Sequence, residues 1–319
     1  MSETAALYSV YGPCGRERQI AEKIADLLKP FAFRVSADLM GNLIAVREGS
    51  SGKTIMISCP MDRPGLAVVD YGEKYLRGDF IGDLRFENLH MQKAMLDDGS
   101  VFTVLNTAED GTKLFETSVG IDIENAPDKG KYMKTAQFAM LTSEYKEDGE
   151  AVEGFGVGVT ACCEALLELC SRFETKHTVV LAFASMTQIE DKSVGCALYE
   201  TKPDVWIELR PVPTAPGKIE AGKGPVAELA MMRRRGEVSL LDGMGDIPVQ
   251  YVMMNRQLKN PVFGFKRDNF GYARYFSLGL PVTAQATENE KCLRCDMDAT
   301  AKAIRELLER ISKECCSDL

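Results

Sequence analysis

Hydrophobic positions along the chain fall into two textures. Residues 15–29 place Ile20, Ile24, Leu27 and Leu28 on one face at helical spacing, and Pro30 stops that helix. Leu43-Ile44-Ala45-Val46-Arg47 predicts a strand entered from a turn at Gly41-Asn42, and Thr54-Ile55-Met56-Ile57-Ser58 predicts its partner across a second turn at Gly49 to Gly52. Short β-prone runs follow at 66–70, 88–94, 101–106, 113–115 and 137–142, separated by turns such as Asp97-Asp98-Gly99 and Glu147-Asp148-Gly149. No helical period interrupts them. An all-β unit is therefore expected over residues 67–150, inserted into an α/β domain made of 1–66 and 151–319.

The first, α/β texture returns after the insertion. Val159, Cys162, Cys163, Leu166, Leu167, Cys170 and Phe173 form a helical stripe, followed by the apolar strand Thr178-Val-Val-Leu-Ala-Phe-Ala184 and a further strand, 204–209. Continuous apolar strands alternating with helices imply a sheet covered on both faces. A last helix, expected over 298–313, carries Ala301, Ile304, Leu307, Leu308 and Ile311 on one side.

Composition changes this picture only at the level of partners. With 38 basic against 47 acidic residues, the net charge of -9 repels phosphate backbones and anionic lipid, so neither nucleic acid nor membrane is an expected partner. No apolar run reaches the ~20 residues of a membrane span, and Met1-Ser2-Glu3-Thr4 lacks a signal-peptide pattern, which predicts a cytoplasmic protein. The 10 cysteines are not spaced as a disulfide framework and read as reduced core residues. Only 2 histidines, His90 and His177, are present, both read as surface or strand-end residues, so chemistry needing several imidazoles is excluded.

Candidate chemistry gathers at strand ends. Asp62 follows the strand ending near Ser58, between Pro60 and Pro64, where an open α/β sheet places its ligands. Glu190, Asp191 and Glu208 are acidic residues near other strand ends, and together with Asp62 they offer oxygen ligands for a divalent cation. Cys292 and Cys295 have the C-x-x-C spacing of thiol redox sites. Gly154-Phe-Gly-Val-Gly158 reads as a tight approach to a helix, and Arg233-Arg234-Arg235 as a solvated or intersubunit basic run.

The order of motifs resembles a known family. Tyr11-Gly12-Pro13-Cys14-Gly15, Asp38 to Ala45, Met61-Asp62 with Pro64-Gly65, the β insertion, Gly195-Cys-Ala, Pro203-Asp204-Val205, Ala221-Gly-Lys-Gly-Pro225 and Gly279-Leu-Pro-Val282 are similar to the glutamyl and deblocking aminopeptidases. These are tetrahedral two-zinc metallopeptidases of metallopeptidase family forty-two, which includes endoglucanase-like proteins. The resemblance implies a three-layer α/β/α zinc-peptidase-like domain with a barrel-like dimerisation insert.

It also implies where a dinuclear zinc cluster would be held. The first histidine falls on Pro60, leaving Asp62 as the supporting carboxylate. The bridging aspartates fall at Val157 and Gly158, the glutamate pair on Thr187 and Gln188 with Glu190 nearby, the next aspartate on Arg210, and the last histidine at Cys292. That donor set implies a degenerate member with no zinc cofactor and no peptidase activity. Such a protein would act as an oligomeric binding or scaffold subunit, as dimers or a tetrahedral dodecamer, alone or with paralogous subunits, with peptides as ligands. Arg210 is expected to pair with Asp62 or a neighbouring carboxylate. Two other classes compete: a hydrolase with an altered metal site of Asp62, Glu190, Glu208 and Cys292, and a thiol redox protein using Cys292 and Cys295.

Overall fold

The computed structural model describes residues 3–50, 52–108, 110–170, 175–189, 192–229, 240–253 and 273–317. Phe173, Glu190, Asp191 and Arg233 to Arg235 lie outside the described residues. A central mixed sheet carries the strands β1 (Arg34–Ala37), β2 (Leu43–Arg47) and β3 (Thr54–Pro60). After a six-stranded closed barrel, β4 (Gly65–Tyr71), β5 (Tyr75–Ile81), β6 (Lys93–Met95), β7 (Val101–Leu105), β8 (Val119–Asp122) and β9 (Phe138–Thr142), the chain returns to the sheet. There it adds β12 (Thr178–Ala184), β13 (Val205–Pro213), β14 (Val226–Glu228), β15 (Gln250–Val252) and β16 (Arg274–Val282). A separate small sheet joins β10 (Lys146–Glu147), β11 (Ala151–Glu153) and β17 (Lys291–Leu293).

Strand order in the large sheet is β1-β2-β12-β3-β13-β16-β14-β15, with β12, β3, β13 and β16 mutually parallel. The expected pairing of 43–47 with 54–58 is corrected here: β2 pairs antiparallel with β1 and β12, and β12 separates β2 from β3. Both runs are buried on two faces and need neighbours on both edges. Local sequence therefore cannot distinguish a hairpin from a strand inserted from far along the chain.

Residues alternate across the sheet, so Ile55, Ile57 and Cys59 face one core while Met56 and Ser58 face the other. The first core is closed by α1 (Arg18–Leu28), α2 (Val157–Cys170) and α4 (Arg294–Ser317), the second by α3 (Lys192–Thr201) against Val180, Ala182 and Trp206. This is an α/β/α arrangement with a six-stranded antiparallel barrel inserted between β3 and α2.

Two further boundaries differ from expectation. The strand expected over 204–209 runs to Pro213, so Glu208 stands in its middle and not at its end. Pairing with β3 stops at Glu208, and beyond it one edge of β13 is free to hold Pro211 and Pro213, which lack N–H donors. The last helix begins at Arg294 and not near 298, which brings Cys295 into its first turn. Within the barrel, 113–115 contributes only an isolated bridge from Lys113 to Thr107. Its strands β5 and β8 carry charged and glycine residues that hid them from periodicity.

Candidate functional site

The loop after β3 is pinned from two sides. Met61 N–H donates to the Ala184 carbonyl at 2.9 Å, Arg63 N–H to Gly12 at 3.0 Å, and Cys14 N–H to Arg63 at 3.1 Å. The stretch before α1 therefore runs beside the loop and delivers Cys14 and Glu17 to Asp62. All three are buried, with their ligand atoms within 4.8 Å of one another. The motif around Cys14 was visible in the sequence, but its convergence on Asp62 was not. A proline at position 13 and an acidic residue three positions after the cysteine were the available signals.

Asp62 has no exposed surface. Its Oδ1 accepts from Thr187 Oγ1 at 2.6 Å and its Oδ2 from Gln188 N–H at 2.9 Å. The Gln188 side-chain amide also donates to the Asp62 carbonyl at 3.2 Å. Burial pushes the carboxyl up to about 6, and the Thr187 and Gln188 donors hold it from going higher. Burial, reinforced by Asp62, lifts the Cys14 thiol well above its usual range. Glu17 accepts from Gly15 N–H at 2.7 Å and Met186 N–H at 2.9 Å. The second contact holds Met186 at φ +53, a conformation that a non-glycine residue adopts only when its surroundings enforce it.

Above this loop lies a cleft of about 780 Å³ between barrel and sheet. Asp83, Arg85 and Asn88 line it from the barrel side, and Gly156, Gln188, Thr214, Gln285, Thr287 and Glu290 from the other. At its floor the buried Glu290 carboxylate accepts from Gly158 N–H at 2.7 Å and Ala286 N–H at 2.8 Å. An internal carboxylate thus fills the anion position at the start of α2. A Cβ on Gly158 would stand 2.9 Å from that carboxylate and from Val282, so the glycine serves close packing. Arg63, fully inside, donates to the Tyr8 carbonyl at 2.8 Å and to the Phe155 carbonyl. Burial lowers its guanidinium to about 10, partly offset by Glu290.

The remaining candidates are dispersed. Pro60 ends β3, and its carbonyl accepts from the Cys163 thiol at 3.2 Å. Val157 points into the core under α2. Arg210 pairs not with Asp62 but with Glu228 on β14, at 2.7 Å. Glu208 accepts a hydrogen bond from Tyr275. Burial lowers the Arg210 guanidinium and the carboxylates of Glu208 and Glu228 more than reverse it, leaving it above its usual range.

Cys292 is buried on β17 with its thiol pushed well up by burial, while Cys295 is exposed and its thiol is also raised. The helix start near Cys295 thus brings no lowered thiol. Asp62, Glu208 and Cys292 do not converge: among the described residues the group with metal-ligand spacing is Cys14, Glu17 and Asp62. His177 stands at the strand end expected for it, immediately before β12, where it is buried and its Nδ1 accepts from Lys53 N–H at 2.9 Å. It stands at the opposite ends of the strands from Asp62. His90 is exposed on the barrel.

Asp296, at the start of α4, accepts from Gly222 and Gly224 N–H, each at 2.8 Å, and so holds the Gly-Lys-Gly-Pro turn. Its place in the fold explains that motif structurally.

No family model matches the chain. It is 25% identical to a lysyl aminopeptidase of Pyrococcus furiosus over 92% of this chain and 91% of that protein. Among solved structures, a TET aminopeptidase from a marine-sediment Thaumarchaeota archaeon superposes with a TM-score of 0.85 at 17% identity, covering 100% of this chain and 98% of that one. A TET peptidase of Pyrococcus horikoshii, which can assemble into a tetrahedron or a large octahedral shell, superposes with a TM-score of 0.75 at 19% identity over 96% and 98% of the two chains. The chain therefore has the TET peptidase fold and is similar in sequence to aminopeptidases over most of its length.

Proposed function

We propose that this protein is a degenerate tetrahedral aminopeptidase, one that keeps the fold and the cleft but not the dinuclear zinc site or the peptidase activity. It acts as an oligomeric binding subunit whose cleft takes peptide-like ligands. The observation that carries this reading is the chemistry of the donor set. Zinc is held by imidazole, thiolate and carboxylate, and a bridged pair needs several anionic ligands at once. The corresponding positions here hold Pro60, Val157, Thr187, Gln188, Arg210 and Cys292. Asp62 spends its oxygens on Thr187 and Gln188, and Arg210 brings a positive charge. The residues present do not fit two zinc ions.

The cleft supports the binding half of the reading. Amide and hydroxyl side chains, Asn88, Gln188, Thr214, Gln285 and Thr287, suit a peptide backbone, and Arg85 and Asp83 suit its charged ends. Self-association follows from the assembly of the Pyrococcus horikoshii peptidase with the same fold. Elemental analysis of protein purified without chelator tests the reading: zinc well below one equivalent per chain is expected. Two tightly held equivalents together with hydrolysis of aminoacyl substrates would overturn it.

A further inference from the structure

A row of polar side chains crosses the middle of the large sheet. Ser58 on β3, Glu208 on β13 and Ser277 on β16 are register partners, and the β14–β16 register continues the row to Glu228. These residues share the sheet face of Met56 and Trp206, which belong to an apolar cluster. Trp206 Nε1–H donates to Ser58 Oγ at 2.8 Å, and the Tyr275 hydroxyl donates to Glu208. Arg210, two positions beyond Glu208 on the same face, reaches Glu228 at 2.7 Å. The Arg210 and Glu228 side chains are only 13% and 4% exposed.

Charge and geometry say what this row is for. Glu228 pairs directly with the guanidinium and Glu208 acts on the same charge, so one buried cation offsets both carboxylates. The contact with Arg210 is single-pronged, although a guanidinium and a carboxylate can bond through two parallel hydrogen bonds. Among the described residues, the second Glu228 oxygen and Arg210 Nε are both buried without a hydrogen-bond partner. The surroundings are therefore matched to the charge of arginine more closely than to its hydrogen-bonding shape.

We infer that Glu208, Glu228 and Tyr275 form a cation site whose resident cation is the protein's own Arg210 guanidinium. The inference goes beyond the proposed function and is carried by the ion pair and its surroundings. It does not depend on the zinc content of the native protein, and its test leaves that quantity aside. A shortened side chain at 210 should open the site to a small exogenous cation, with methylguanidinium as the closest mimic.

Thermal unfolding of Arg210→Gly tests this. The variant is expected to melt about 5–10 °C below the native protein. Millimolar methylguanidinium is expected to raise its melting temperature, sodium chloride of equal ionic strength is not, and the native protein should not respond. Zinc chloride acting in place of methylguanidinium would also support a cation site. Adding Glu228→Gln to the variant should abolish the response. Equal effects of methylguanidinium and sodium chloride, or an undiminished response in the double variant, would overturn the inference. If Arg210→Gly does not fold, Arg210→Lys and Arg210→Met decide: lysine should stay markedly closer to the native melting temperature, and equal melting of the two would overturn it.

Discussion

Two buried carboxylate clusters lie in this sheet, one around Asp62 and one around Glu208 and Glu228, and they neutralise charge by opposite means. Around Asp62 the partners are neutral donors from a loop, Thr187 Oγ1 and Gln188 N–H, and the carboxyl sits at about 6, so a proton is the available counter-charge. Around Glu208 and Glu228 the partners come from strands, and the counter-charge is Arg210. A loop can turn its N–H groups toward a carboxylate. A strand has already committed its N–H groups to the ladder and must answer with side chains. The first cluster should therefore respond to pH, and the second to loss of its cation.

The largest expected effect breaks the second cluster. Arg210→Met keeps the unbranched stem but removes the charge, leaving two carboxylates inside without compensation. A loss of about 3–5 kcal/mol in urea unfolding is expected, and a loss below about 1 kcal/mol would show that the carboxylates do not need it. Thr187→Val comes next, because it deprives Asp62 Oδ1 of its donor while keeping the shape. A cost of about 1–3 kcal/mol is expected, with the Asp62 carboxyl moving further up, as carboxyl chemical shifts would read.

Asp62→Asn is the mildest change at neutral pH and the sharpest test of the contrast. The folded carboxyl titrates at about 6, above its unfolded value of roughly 3.9. The folded state thus binds the extra proton between those values. Stability from this group is fully present below about 4 and declines as pH rises through about 6. Unfolding free energies of the native protein and Asp62→Asn, measured across that window, should diverge by about 2–3 kcal/mol. Parallel curves would assign Asp62 an ordinary titration.

The fold was legible where burial is continuous. β12 and α2 follow from runs that cannot face water, and the Gly-rich stretch before α2 was placed as a packing device, which the crowding at Gly158 bears out. Long-range pairing was not legible: nothing in 43–58 signals that β12 enters between β2 and β3. The candidate site divides the same way. Asp62 stood out because two prolines and a strand end frame it. Cys14 and Glu17 reach it only through the pairing of Pro13 with Arg63, a tertiary contact without a local pattern. Glu228 was invisible as the partner of Arg210 because β14 is three residues long and antiparallel to its neighbour.

The closed barrel also has a kinetic meaning. β3 and β12 are adjacent in the sheet yet separated by the whole insertion, so joining them directly would require closing a long loop. Gly65, at the start of the barrel, pairs with Met140 in its last strand. Once that pair forms, the detour between β3 and α2 contracts to a short connection, and the most distant contacts of the central sheet become nearly local ones. The insertion thus acts as a clasp on the chain's own path: a barrel that closes first shortens the search by which the sheet finds its middle.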